Sequence, residues 1–331
     1  MSEGRTCAVG AAVALSVSGC FGALPPEATA TDASSTTGAV DAVTSTGLVA
    51  ASSDGDSSSG APLVCEHLDI LVLTDVSGSM APLAGGIINV LLAIGTRIEE
   101  AFEGVGTFNI ALGYNVAPVV NQQAYEIPAG GEGCTQLGAL VRGVDECAED
   151  FELRPYLTDD DDLGAGLTCL GGGLISAQWD PSYETPRTLD SIVALLEAED
   201  DPALTACNED FHRSPDPLLI VLIIDAEDES EASVLEAVTS AVATQGTSLE
   251  NVGLFLIGAD ASGCPDDDPN ACDAHPSCRV QEFIDRGFTN VGLGENVRRF
   301  NICRSLERDS AAVADDLLVQ MTAVVQNICT P

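Results

Sequence analysis

The sequence predicts a three-layer, Rossmann-like α/β fold with a mainly parallel central sheet and helices on both faces. Three observations lead there. Apolar runs of strand length alternate with longer runs that read as helices. The strongest apolar runs are continuous, as strands buried on both faces are. Two of them, DILVLTD and PLLIVLIID, stop at an aspartate, Asp75 and Asp225. Ligands of parallel sheets gather at the carboxyl ends of the strands, so these two carboxylates mark the place to look.

The elements follow in order. Leu68 to Thr74 reads as the first strand. Residues 83–103 read as one helix, apolar at first and amphipathic towards Arg97, Glu99 and Glu100; the apolar part is too short to span a bilayer. A second strand starts at Gly106 (GTFNIALGYN), and TQLGALVRGVDECAEDF, from Thr135, reads as a helix. The glycine run 171–173 reads as a loop. Residues 186–199 read as a helix, with Pro186 suited to the first turn and Thr185 to the N-cap. The strand ending at Asp225 precedes a helix, 233–246, stopped by Gly246. NVGLFLIGAD is a further strand, and residues 310–329 form a closing amphipathic helix.

The chain reads as three parts. Residues 1–19 resemble a lipoprotein signal peptide: Arg5, an apolar stretch from Ala8 to Val17, then Val17-Ser18-Gly19-Cys20, similar to a bacterial lipobox that would leave the lipid on Cys20. Residues 20–62 are dominated by Ser, Thr, Ala, Gly and Asp, which cannot bury enough surface to offset their entropy; a disordered tether is expected. Residues 63–331 form the folded domain. After Cys7 and Cys20, ten of the 12 cysteines remain, an even number that reads as up to five disulfides in an exported chain. Cys65 and Cys329 flank the two ends of the domain, which favours a bridge between them. The expected location is the cell envelope, lipid-anchored, with the outer membrane favoured because Phe21, not an aspartate, follows Cys20.

Net charge is −40, and all 12 basic residues are arginine. This argues against nucleic acid, whose phosphates need clustered cations, and against docking on anionic lipid through a basic face. The acidic groups Asp159–Asp162, Asp266–Asp268 and Glu227–Glu229 read as solvated loops with some capacity for calcium. The residue types of Cys264, Cys272, His275 and Cys278 would suit zinc, although disulfides fit an exported chain better.

Asp75, Ser77 and Ser79 put one carboxylate and two hydroxyls on a tight loop, and Asp225 adds a second carboxylate from another strand end. Such hard oxygens suit Mg²⁺, Ca²⁺ or Mn²⁺. DILVLTDVSGSM strongly resembles the first strand and metal loop of von Willebrand factor A-type (VWA) domains. The resemblance implies a metal-ion-dependent adhesion site (MIDAS) with Asp75, Ser77, Ser79 and Asp225 as ligands. It also implies a later threonine, for which Thr185 fits best by position, with Ser182 and Ser176 as alternatives. It further implies a protein partner that supplies an Asp or Glu carboxylate to the cation. Lipobox, tether, A-type domain and many cysteines together look like bacterial lipoproteins of myxobacterial type.

Two other readings stay open: a disulfide-stapled envelope protein whose metal only stabilises the fold, and a hydrolase with Glu227 or Asp228 as base to a metal-bound water. Catalysis finds little support. His67, His212 and His275 lie in no zinc-protease motif, there is no Gly-x-Ser-x-Gly elbow, and a chain without lysine has no phosphate-binding loop of the Gly-Lys type.

Overall fold

The computed structural model describes residues 65–80, 82–115, 137–141, 154–176, 186–197, 201–208, 211, 216–246, 249–259, 275–303 and 310–329. The chain divides into two compact units, Met1–Ser58 and Ser59–Pro331, and every described residue belongs to the second. The signal-like segment, Cys20, Thr185, Ser182, Cys264, Cys272 and Asp266–Asp268 lie outside the described residues, as does the side chain of Ser176.

The expected three layers are present. The strands are β1 (Cys65–Thr74), β2 (Val105–Tyr114), β3 (Tyr156–Thr158), β4 (Leu218–Ile223), β5 (Val252–Gly258) and β6 (Val297–Asn301). They form one sheet in the order β3-β2-β1-β4-β5-β6, parallel throughout except for β3. The helices are α1 (Ala84–Gly95), α2 (Ile98–Ala101), α3 (Leu163–Ser176), α4 (Thr188–Leu196), α5 (Pro202–Asn208), α6 (Val234–Thr244), α7 (Cys278–Gly287) and α8 (Ser310–Cys329).

The period of two along each strand divides the core. Ile70, Val72, Ile110, Leu112, Val221 and Ile257 face α1, α3 and α8, whose Ile87, Leu91, Leu167, Leu317 and Val324 cover them. Leu71, Leu73, Ile220, Leu222, Leu254 and Leu256 face α4, α6 and α7, covered by Leu189, Ile192, Ala237, Val280 and Ile284. β1 and β4 are apolar on both faces because both faces are roofed, which is why their sequences are continuous rather than alternating.

Several elements depart from the sequence reading. The helix expected over 83–103 is broken into α1 and α2, because a Cβ on Gly95 would lie 2.6 Å from Leu167 Cδ1 where α3 crosses, and the chain turns there to bury Ile98 and Phe102. The helix expected from Thr135 is not formed over 137–141. Gly138 has φ +83°, outside the helical region, and Asn208 accepts from Leu140 N (3.0 Å) and donates to Gly138 O (3.0 Å). Leu140 bridges Gly113 instead. The glycine run 171–173 is helical, inside α3; that helix follows Asp162, whose carboxylate accepts from Ala165 N at 3.0 Å, and its Gly166 faces Leu157 where a Cβ would lie 2.6 Å away. Close packing overrides the low helix propensity of glycine.

Other expectations hold. Ser233 and Glu236 form a reciprocal capping box at the start of α6, and Gly246, at φ +96°, follows its end. Cys65 and Cys329 are bonded to one another, closing a span of 264 residues. This bridge pins α8 to the amino end of β1. Replacing both with serine is expected to cost about 2–5 kcal/mol, seen as a lower urea midpoint for the oxidised protein.

Candidate metal centre

The sheet order sets the site. From β1 the chain builds outward through β2 and β3 on one side and through β4, β5 and β6 on the other, so β1 and β4 flank the switch point where a crevice opens at the carboxyl ends. Thr74 is in register with Ile223, and Asp75 N donates to Ile223 O at 2.8 Å, so Asp75 continues the ladder one residue past β1. Asp225 leaves β4 two residues past its end. Two apolar strands thereby bring two carboxylates 150 residues apart into one place.

Ser77 N donates to Asp75 Oδ1 at 2.7 Å, which bends the chain into the single 3-10 turn Gly78–Met80. Ser79 Oγ donates to Asp225 Oδ1 at 2.9 Å and lies 2.8 Å from Ser77 Oγ. Since the one proton of Ser79 goes to Asp225, Ser77 is the donor in the serine pair. Asp75 is 0% exposed and Asp225 1%, whereas Ser79 is exposed and opens the cluster to solvent. Asp75 Oδ2 is buried without any hydrogen-bond partner.

Burial, then the neighbouring charge of Asp225, pushes the Asp75 carboxyl from 3.8 up to about 7. Burial also raises Asp225, against opposing hydrogen bonds led by that from Ser79. Two buried carboxylates this close do not both stay ionised unless something positive lies between them. A proton meets this need up to about neutral pH, and a divalent cation could meet it in the ionised pair. The donor set fits such an ion: a carboxylate oxygen lacking any partner, a second carboxylate and two hydroxyl oxygens, all hard ligands. Thus Asp75, Ser77, Ser79 and Asp225 are brought together as expected.

The other acidic groups are structural. Asp228 Oδ1 accepts from Thr188 N (2.6 Å), Leu189 N (3.3 Å) and Ser230 Oγ (2.8 Å). The first turn of α4 is therefore capped from the loop after β4, and α4 starts at Thr188 rather than at Pro186. Glu227 accepts from Cys278 N (2.5 Å) and Arg279 N (3.1 Å) at the start of α7. Glu227 and Asp228 each accept from main-chain amides, while Asp228 Oδ2 is buried without a hydrogen-bond partner. Asp161 is held by Arg154 and Thr158, and Asp162 caps α3. Among the described residues no group of three or more His, Cys, Asp or Glu side chains is placed to hold a metal. Cys278 is disulfide-bonded, as are Cys65, Cys169, Cys207, Cys303 and Cys329, so its thiol is not a zinc ligand.

Sequence reasoning missed one role and one residue here. The role is that of Asp228 as a cap, whose partner lies 40 positions away. The residue is Asn115, at the end of β2, which bonds Thr188 Oγ1 at 2.9 Å. Its signal was available: like Asp75 and Asp225, it is a polar residue that stops an apolar strand.

No protein-family model matches the chain, and no curated protein matches it in sequence. Several solved structures are similar to it, three of them as follows. Proximal thread matrix protein 1 from the mussel byssus is 11% identical with a TM-score of 0.38, over 80% of this chain and 50% of that one. The pilus adhesin SpaC from Lactobacillus rhamnosus GG is 13% identical with a TM-score of 0.37, over 76% and 31%. A von Willebrand factor type A protein from Catenulispora acidiphila is 14% identical with a TM-score of 0.34, over 78% and 43%. The chain spans half or less of the length of each. A second structure of the byssus protein has a zinc-occupied MIDAS motif.

Two outcomes are expected. A carboxyl whose folded pKa lies above its unfolded value holds its proton more tightly when folded, so its contribution to stability falls as pH rises from about 4 to about 7 and is level above that. In chelator, Asp75→Asn should therefore melt higher than wild type at pH 8, with the gap narrowing towards pH 4 in calorimetry. Asp228→Ala should lower unfolding free energy by about 1–3 kcal/mol, because it strands buried amides of α4; Asp228→Asn, which keeps an acceptor, should lose less by urea titration.

Proposed function

We propose that this chain is a lipid-anchored, exported domain of the VWA type that binds a protein partner through a divalent cation. The observation that carries the reading is the buried, unpartnered Asp75 Oδ2 beside Asp225 and two serine hydroxyls at the switch point. The Asp-Val-Ser-Gly-Ser-Met run supplies the family resemblance. In this reading Asp75, Ser77, Ser79 and Asp225 hold the ion, Thr185 adds an oxygen from the third loop, and a coordination position is left for an Asp or Glu of the partner. The cation supplies positive charge where the protein alone offers only acid. The protein's part is to hold four oxygens in place, and to keep Ser79 at the surface where a partner can reach it.

The other features fit an envelope protein. Disulfides at each described cysteine suit an oxidising compartment. The folded unit is entered at Cys65, where the chain is also bonded to the end of α8, and β1 then runs ten residues to the site. At about 3.3 Å per residue, the entry pole and the site are roughly 30 Å apart, at opposite ends of one strand. The outer membrane is the location this reading favours.

The test is calorimetric titration of Mg²⁺, Ca²⁺ and Mn²⁺ into the oxidised protein. Saturable binding lost in Asp75→Ala is expected, together with cation-dependent capture of a carboxylate-bearing partner. Equal heats for wild type and Asp75→Ala would sink the reading. A cation that raises the melting temperature while leaving partner capture unchanged would instead favour the purely structural role.

A further inference from the structure

Asn115 is fully buried at the end of β2, the strand beside β1 on the side away from β4. Its main chain ties two site loops together. Asn115 N donates to Thr74 O at 3.3 Å, one residue before Asp75, and Asn115 O accepts from Arg187 N, at the start of α4. Its side-chain Nδ2 donates to Thr188 Oγ1 at 2.9 Å, and its Oδ1 is left buried without a partner. Either orientation of the amide gives one atom to Thr188 and leaves the other over; the left-over atom here is an acceptor. Thr74 lies opposite Tyr114, which sets Asn115 beside Asp75, and Asp75 Oδ2 is likewise buried without a hydrogen-bond partner, so two neighbouring strand ends each present an unpaired acceptor. Buried acceptors are seldom left so, since each costs about 1–3 kcal/mol when unpaired. A cation that keeps part of its hydration, as Mg²⁺ does, brings water protons to such a site.

We propose that Asn115 is a further polar residue of the cation site, its side-chain carbonyl accepting a hydrogen bond from a water held by the ion, on the flank of Asp75 opposite Asp225. This rests on the cation-binding reading above and adds a residue to it. Asn115 acts on the ion through water and is a positioning residue, not a direct ligand. Because its main-chain bonds to Thr74 and Arg187 do not depend on the side chain, the side chain can be changed with the loop ties in place.

Two substitutions of similar volume separate this role from simple packing. Asn115→Leu removes the acceptor and should weaken Mg²⁺ about 10–100-fold, the usual range for lost outer partners of a metal. Asn115→Asp keeps an acceptor, can take the Thr188 hydroxyl proton, and adds a negative charge near the ion; it should tighten Mg²⁺ by about tenfold or more. A merely structural asparagine predicts that both weaken binding or that neither changes it. The measurement is calorimetry with Mg²⁺ on the full oxidised chain, with pulsed electron-nuclear resonance on the Mn²⁺ form. There the couplings of exchangeable water protons should change in Asn115→Leu. Opposite signs for the two variants support the proposal; equal or unchanged affinities, with Asp75→Ala abolishing binding, overturn it. If Asn115→Leu does not fold, the sign for Asn115→Asp decides. If Asp75→Ala binds as wild type does, the cation site itself falls, and this proposal with it.

Discussion

The arrangement depends on two carboxylates buried against each other at the ends of β1 and β4. Each strand is roofed on both faces, and both aspartates are buried. Asp75 is still held by the amide bond to Ile223, and Asp225 carries His275 N on its own carbonyl at 2.7 Å. The main chain fixes both acids, and charge repulsion then has to be met by something from outside. That requirement turns a sheet edge into a candidate site for a cation: the fold creates the deficit and the ion is what fits it.

The loops around the crevice are held by the same kind of bond, a buried polar side chain reaching a main-chain group in another segment. Asp228 holds the start of α4, Glu227 holds the start of α7, and Asn115 ties the end of β1 to α4. Arg279 closes the set by donating to Ser230 O and Ala232 O, both at 2.6 Å. A surface this acidic would be expected to repel itself, yet its described acids near the site are spent on helix amides, where negative charge is favoured by the helix dipole. The excess charge is therefore partly structural, and within the site Asp75 gives one oxygen to the Ser77 amide and keeps the other without a partner.

The opposite pole is closed differently. Cys65 and Cys329 join the first strand to the last helix, at the end of β1 remote from Asp75. One pole is stapled covalently, and the other is held by hydrogen bonds.

Much of this was legible in the residues because it depends on local pattern. Continuous apolar runs gave β1, β4 and β5, Gly246 gave the end of α6, and Asp-x-Ser-x-Ser gave the metal loop, since strand burial, helix stops and tight turns are written within a few positions. What was illegible depends on contacts between distant segments. The break after Gly95 needs α3 to cross there; the helical glycines of α3 need close packing to offset their poor propensity; β6, VRRFN, carries charge because it lies at an edge. The start of α4 at Thr188 could not be read from Thr185 and Pro186, because its cap is Asp228 from another loop. The sequence by itself determined which residues would stand at strand ends and what oxygens they would offer. Only the tertiary structure decided that Asp75 and Asp225 share one crevice, that Asp228 caps α4 and that Asn115 reaches Thr188, because burial and partnership are properties of neighbours that the chain brings together only when folded.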